Sequence, residues 1–510
     1  MSSLKVFDHN QTTAKTRYTK LEGVRKAYMT RAEECAKYTI PMVFPKESDN
    51  YTKNFETPYQ SMGARGVNNL TSKLMLALFP PNSPFFRLTL GDEVQQALGE
   101  DPETKQQWEE ALSNIERRMT SYMEGHQLRP TMYEALKQLV VAGNVLLFLP
   151  PAEGGVRLYR LNSYVISRDG VGNILEIVAK ESIAYGAMPP EAQNCIDGEQ
   201  VSPDKSYDIY THTYLEGDVF KSYQEIEGKI VVGSEQEYPK DKSPWIPLRL
   251  QKVDGESYGR SFVEDYIGDL KVLEALSKAV TQVAAIASNI LYLVNPNAVT
   301  RVSELSKAQS GDFVKGRIED VQVLQINKTN DLQIAVTEKR EIESRLSYAF
   351  LLNSAVQRNA ERVTAEEIRY VANELEDTVG SVYSILAEEL QLPLVRRIMN
   401  QMTREGQLPD LPEGSKGVEP MIVTGVEALG RGHDLNNLDT FIRYAQVFPE
   451  AFSQNVRQGE ILRQIATSLG IDANKVVKSD AEIQQEQQQM LQAQMAQQVA
   501  PEVAKGAMQA

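Results

Sequence analysis

Residues 259–294 read GRSFVEDYIGDLKVLEALSKAVTQVAAIASNILYLV. Tyr266, Leu270, Leu273, Leu276, Val280, Val283, Ala287, Ile290 and Val294 alternate spacings of four and three, which keeps one apolar stripe on a helix. Read as one helix from 261 to 294, the stretch predicts a rod of about 50 Å, about twice the usual globular length. Rods of that length pack against copies of themselves or against neighbours of equal length. The small residues Ala275, Ala279, Ala284, Ala285, Ala287 and Ser288 suggest a close approach.

Asn295-Pro296 ends the rod, because proline disfavours helical geometry in the preceding residue and cannot donate to the helical ladder. A strand-rich insert then runs to about Asn330. Gly311-Asp312 marks a turn in it, and Val321, Val323 and Gln325 alternate with Gln322, Leu324 and Ile326 in a short strand. A second helix is expected over 331–352, with Ile334, Ile342, Leu346 and Ala349 as apolar markers and a charged middle. Glu341 and Arg345 there have the favourable acid-first spacing of four. Residues 353–363, NSAVQRNAERV, break the apolar period. Thr364 with Glu367 then has capping-box form and restarts a very long helix to about 405, which Pro393 kinks rather than ends.

The chain has 510 residues, 42% of them hydrophobic, which allows about three domains and ample core. Its 69 acidic and 54 basic residues give a net charge of -15, which argues against a surface that grips nucleic acid everywhere. Two cysteines, Cys35 and Cys195, are too few for a disulfide framework or thiolate metal site. The start carries no apolar leader. Residues 279–300 are uncharged, yet Thr281, Gln282, Ser288 and Asn289 interrupt them, so a protein-buried helix is preferred over a membrane span.

Upstream, helices are expected at about 14–38, 63–78, 101–124 and 131–142, the last opened by Thr131 with Glu134 and closed by Gly143. Strands follow at 145–149, 157–161, 164–168 and 174–180, with Asp169-Gly170 as a turn. A meander over 207–232 turns at Gly217 and Gly228, and a further strand covers 245–253. Downstream, 408–417 is a linker, 421–426 a strand, and 435–448 with 458–469 a small helical module. From Asp480 the chain becomes glutamine-rich, a composition that predicts a frayed or disordered tail and carries no chemistry.

The search for catalysis is nearly empty. The four histidines, His9, His126, His212 and His433, have no metal-ligand spacing. Neither a GxxxxGK[ST] phosphate loop nor a GxSxG elbow is present. Gly430-Arg431-Gly432 lacks the third glycine of a dinucleotide fingerprint. Glu264, Asp265 and Asp269 share one helix, where a solvated face is preferred over a metal site. What remains is the polar loop, whose Gln357, Arg358, Asn359, Glu361 and Arg362 suit phosphate contact or ion pairs between subunits.

The strings YTIPMVFPKESDN, GARGVNNLTSKLMLALFP, MYEALKQLVVAGNVLL, DGESYGRSFVEDYIGDL and LNSAVQRNAERVTAEEIRYVANELEDTVGSVYSILAEELQLPLVRR closely resemble the portal, or head-to-tail connector, family of short-tailed bacteriophages. The similarity spans residues 32 to about 471. It implies an α+β, mainly helical portal fold with long stem and wing helices, a strand-rich wing part and a small α/β clip. It also implies a ring oligomer, typically of twelve subunits, at one capsid vertex.

Carried over by position, the wing is 1–260, the stem 261–294 and 331–352, the clip 295–330 and the tunnel loop 353–363. A kinked wing helix covers 364–405, a linker and helical crown 406–480, and the glutamine-rich tail 481–510. Leu270, Leu273, Leu276, Val280, Val283 and Ala287 become stem packing positions. Lys307, Asp312, Lys315 and Arg317 are clip positions for partner docking. Asn353, Gln357, Arg358, Glu361 and Arg362 are the channel-loop positions facing DNA.

The implied partners are other copies of the chain, double-stranded DNA, the terminase packaging motor, a tail adaptor, and the major capsid, scaffold and internal core proteins, with no membrane. The implied location is the virion vertex after assembly in the host cytoplasm. No cofactor and no enzymatic activity are expected. An acidic conduit fits this reading, because a continuous basic lining would hold DNA through counterion release. The competing readings are a coiled-coil scaffold or tail component, and a packaging nuclease or ATPase.

Overall fold

The computed structural model describes residues 12–45, 54–80, 85–90, 102–150, 155–196, 202–288, 291–297, 299–324, 329–352, 375, 382–408, 418–422, 442, 459, 461 and 462. The chain divides into two compact units, 1–363 with 370–422 and 364–369 with 423–510. Nearly all described residues belong to the first. The channel-loop residues, the start of the long helix, the expected crown helices apart from 442, 459, 461 and 462, and the glutamine-rich tail lie outside the described residues.

Helix α1 (Ala14–Tyr38) starts where the sequence places it. Thr13 Oγ1 accepts from Thr16 N, and the Glu225 carboxylate accepts from Ala14 N at 2.6 Å. A carboxylate at the positive end of a helix is favourable. The helix lies on a six-stranded antiparallel sheet in the order β4 (Tyr164–Arg168), β5 (Ile174–Ala184), β6 (Ser206–Glu216), β7 (Val219–Ile226) and β8 (Lys229–Ile230), with β9 (Gln236–Pro239) also paired to β7. Ala14 and Tyr18 pack there against Val165, Val178, Tyr210, Tyr214 and Tyr223. Asp169 accepts from the backbone N–H groups of Val171, Gly172 and Asn173, which fixes the turn expected after β4.

Charge is also buried under α1. Arg25 is 1% exposed, and its guanidinium donates to Tyr18 and to the carbonyls of Leu161, Asn162 and Tyr164. Tyr18, at the same interface, has its hydroxyl pushed up by burial. Arg17 donates to Glu176, and Glu176 in turn meets His212, which contacts Tyr223 at 3.0 Å.

The main core surrounds α4 (Leu128–Ala142), whose Leu136, Leu139, Val140 and Val141 are fully buried. Each such side chain contributes about 1.5–3 kcal/mol. It packs against α1, α2 (Met62–Leu78) and α3 (Pro102–Gly125) and leads into β2 (Asn144–Phe148). This helix starts at Leu128, a turn before the expected Thr131, because Leu128 and Met132 both find core contacts. Pro130 is tolerated in that first turn, where its missing N–H has no helical partner. Gly143 closes α4 at φ +73, where a Cβ would stand 2.5 Å from the backbone carbon of Arg260, so only glycine fits.

Strand β2 lies between β10 (Trp245–Arg249) and β3 (Arg157–Arg160). A further ribbon pairs β1 (Phe86–Leu90) with β13 (Val418–Ile422), Leu88 standing opposite Pro420. The sequence reading passed over β1 and placed β13 at 421–426. Phe86 and Leu88 are buried between half-exposed Arg87 and Thr89, so the alternation exists but is too short to stand out.

The expected rod is corrected by the structure. A short helix at Phe262–Asp265 precedes α5 (Ile267–Ser288), and residues 291–294 are strand β11 rather than helix. Leu291, Tyr292, Leu293 and Val294 fit either periodicity, and pairing with β12 (Val321–Leu324) decides for extended chain. At 22 residues α5 is about 33 Å long. The return helix α6 (Thr329–Ala349) begins two residues before the expected 331 and closes at Ala349 rather than 352. Past Leu386 the helical ladder widens to a π turn over Ala387–Gln391 and resumes as α7 (Leu392–Arg404). The chain thus continues past Pro393, as expected, with the π turn absorbing the lost donor.

Candidate functional site

Helices α5 and α6 pack against each other, and their ends away from the β11–β12 ribbon enter the main core. Leu270 and Leu273 are fully buried there with Ile342, Leu346 and Phe350. Phe350 stacks edge-on with Phe262 at 5.6 Å, and Gly66 of α2 lies beneath its ring, so close that a Cβ would fall 2.5 Å from it. Arg345 reaches across to Asp269 at 3.4 Å, where the sequence suggested Glu341.

Toward the ribbon the apolar surface comes out into solvent. Leu276, Val280 and Val283 are half-buried and Ile286 and Ile334 are exposed; Val272 and Tyr348, at the core end, are exposed as well. Of the six expected stem positions, Leu270 and Leu273 therefore serve the chain's own core. Leu276, Val280 and Val283 stay accessible, and the Ala287 side chain is outside the described set. The three carboxylates of the first rod are separately engaged. Glu264 pairs with Arg31 and Arg260, Asp265 accepts from Gln251, and Asp269 meets Arg345. Among the described residues no His, Cys, Asp and Glu group could hold a metal ion.

The exit of α6 fixes where residues 353–363 begin. Leu352 N donates to Ser347 O, Leu351 N donates to Tyr348 O, and Leu351 adopts φ 55. This is a Schellman-like stop with leucine where glycine is usual, which costs about 1–2 kcal/mol. Asn69 Nδ2 donates to the carbonyls of Phe350 and Leu351, each at 2.9 Å, and Lys73 Nζ donates to Leu351 O at 3.0 Å. Asn69, Lys73 and Gly66 thus fix the end of α6. Sequence reasoning missed all three, since their partners lie far away in the chain.

The insert between the helices is the ribbon β11–β12 plus a loop organised by Thr300 and Asp320. Thr300 Oγ1 donates to Asp320 at 2.8 Å and accepts from Arg317 N at 3.0 Å. The Thr300 hydrogen bond holds the Asp320 carboxyl below its usual range. Lys307, Lys315 and Arg317 are exposed as expected, while Asp312 is exposed but caps its own turn by accepting from Gln309 N. More telling are the apolar side chains beside them. Tyr292, Leu293, Val299 and Val302 are over half exposed, and Phe313 and Ile318 are exposed almost entirely. A lone chain rarely shows so much large apolar surface on so small an insert unless another surface covers it.

Residues 11–477 match the family model described as bacteriophage head to tail connecting protein. The chain belongs to that family. It is 48% identical over 491 residues to the portal protein of Escherichia phage T7, covering 94% of this chain and 90% of the relative. With the portal protein of Enterobacteria phage T3 it shares 48% identity over 481 residues, 92% of this chain and 89% of the relative. The portal protein of Enterobacteria phage SP6 is 32% identical over 482 residues, covering 93% and 92% of the two chains. The α5–α6 pair covers the expected stem positions, and the ribbon with its loop covers the expected clip positions. No helix among the described residues is long and apolar enough to cross a membrane.

Proposed function

We propose that copies of this chain close into a ring, a dodecamer, at one capsid vertex, forming the portal through which double-stranded DNA is packaged and ejected. The observation that carries the ring is apolar surface left uncovered on one chain, along the ribbon-side half of the stem and over the clip. In this reading neighbouring stems bury Leu276, Val280 and Val283, and the clips close the rim. Negative-stain microscopy of the purified protein tests it: rings with a central hole are expected, and a monodisperse monomer at micromolar concentration would overturn it. The same preparation is expected to hydrolyse neither ATP nor DNA.

The clip is the docking surface for the terminase motor and then for the tail adaptor. Arg317→Glu reverses an exposed charge while leaving the backbone N–H bond to Thr300 available. Rings are expected to persist with adaptor affinity reduced about tenfold in a pull-down titration. Unchanged affinity would remove Arg317 from the docking surface.

Asn353, Gln357, Arg358, Glu361 and Arg362 form the channel loop, which follows the end of α6 that Asn69 and Lys73 hold. Repetition around the ring turns each arginine into a circle of positive charge, so contacts of under about 1 kcal/mol each sum to a reversible hold on the duplex. With Arg358→Ala and Arg362→Ala combined, rings and procapsids are expected to form while the fraction of full heads falls. Full heads at the wild-type fraction would make the loop a plain connector.

A further inference from the structure

A cationic cleft lies against helix α7, built from none of the stem or clip residues. Lys242, Arg397 and Arg404 line it with Tyr238, Asn400 and Gln401. No carboxylate lines it among the described residues. Residues 397, 401 and 404 follow spacings of four and three, so one face of α7 presents two guanidinium groups and an amide together. Lys242 joins them from the turn that precedes β10.

Two features set the cleft apart. Gln401 is 7% exposed, and its Nε2 is buried without a hydrogen-bond partner. A buried donor without an acceptor is destabilising. The second feature is crowded positive charge. Burial pushes the Arg397 guanidinium below the usual arginine range; nearby Asp241 opposes this, and Arg404 pushes the same way as burial. The described partner of Arg397 is a single backbone carbonyl, Asp241 O at 3.3 Å. Three cations and an unpartnered buried N–H therefore belong to one cleft that no carboxylate lines among the described residues.

We propose that this cleft binds a phosphate group. Two planar guanidinium forks, an ammonium and an amide donor offer more hydrogen bonds than the two oxygens of a carboxylate can accept, whereas a tetrahedral oxyanion uses them all. The source is either free phosphate or the phosphodiester backbone of DNA, and the two are separable by experiment.

Isothermal titration of the full-length assembled protein in phosphate-free, low-salt buffer, first with sodium phosphate and then with a short DNA duplex, tests the site. Saturable phosphate binding weakened about tenfold or more by Arg397→Gln and by Arg404→Gln supports it, since each variant removes charge-assisted hydrogen bonds. If only the duplex binds, and its salt dependence flattens in the same variants, the phosphodiester is the ligand. Lys242→Gln, at an exposed position, repeats the measurement without disturbing α7. Gln401→Leu separates a binding role from a structural one. It removes the unmet donor, so without phosphate the melting temperature is expected to hold or rise, while phosphate affinity drops. Equal binding by wild type and variants, or no saturable signal with either probe, overturns the proposal.

Discussion

A chain carrying Leu276→Asp and Val283→Asp is expected to fold normally and yet fail to form rings. Both side chains are half-buried in the single chain, so aspartate there keeps access to water; Leu276 also touches the main core, and its loss costs about 1 kcal/mol, short of unfolding the chain. Between neighbouring stems the same carboxylates would be buried without partners, at several kcal/mol each, and the penalty recurs at every interface of the ring. Far-ultraviolet circular dichroism should stay at the wild-type level while gel filtration shifts from ring to monomer. Well-formed rings from this variant would rule out the stem packing. The contrast is Leu273→Ala, which empties a fully buried position and is expected to cost about 2–5 kcal/mol in the chain itself.

The second large effect is expected inside the wing. Glu176 lies between Arg17 and His212 under α1, and its residue is 1% exposed. Burial alone would raise its carboxyl, but the hydrogen bonds from Arg17 and His212 outweigh that and hold it at about 2, below the ordinary 4.5. Glu176→Ala takes the carboxylate from half-buried Arg17 and from fully buried His212 and should cost about 1.5–3 kcal/mol in denaturant unfolding. A loss below about 1 kcal/mol would mean that the site relaxes or hydrates freely. The pH dependence has a fixed sign. The depressed carboxyl stabilises the fold fully above about pH 4.5, and that contribution is lost as pH falls from there toward 2. Wild type should therefore lose more stability than Glu176→Ala across that window.

Legibility in the sequence followed the range of the interactions. Helix α1 was bounded correctly because Thr13 and the helix it caps are neighbours in the chain. The turn at Asp169 was legible for the same reason, since the carboxylate bonds N–H groups two to four residues on. Gly143 stood at the end of α4 as expected. Where several conformations suited the same residues, distant partners decided. Residues 291–294 continue the helical stripe of α5 perfectly, yet they are a strand because β12 offers them a ladder. Strand β1 was passed over because its partner arrives more than three hundred residues later.

The candidate site divides in the same way. The matched strings identified the connector family, and the apolar stripe of α5 marked the order of helix, insert and return helix. Periodicity marked Leu270, Leu273, Leu276 and Val283 alike, because a stripe records only which residues share a helix face. The tertiary structure alone divided them, burying the first two against α6 and leaving the last two accessible. It alone also brought Asn69 and Lys73 to the carbonyls at the end of α6, and placed Lys242 beside Arg397 and Arg404. Hydrophobic periodicity is a property of neighbouring residues and survives in the linear chain. Polar contacts between elements far apart have no spacing in sequence, and they exist only once the chain has closed on itself.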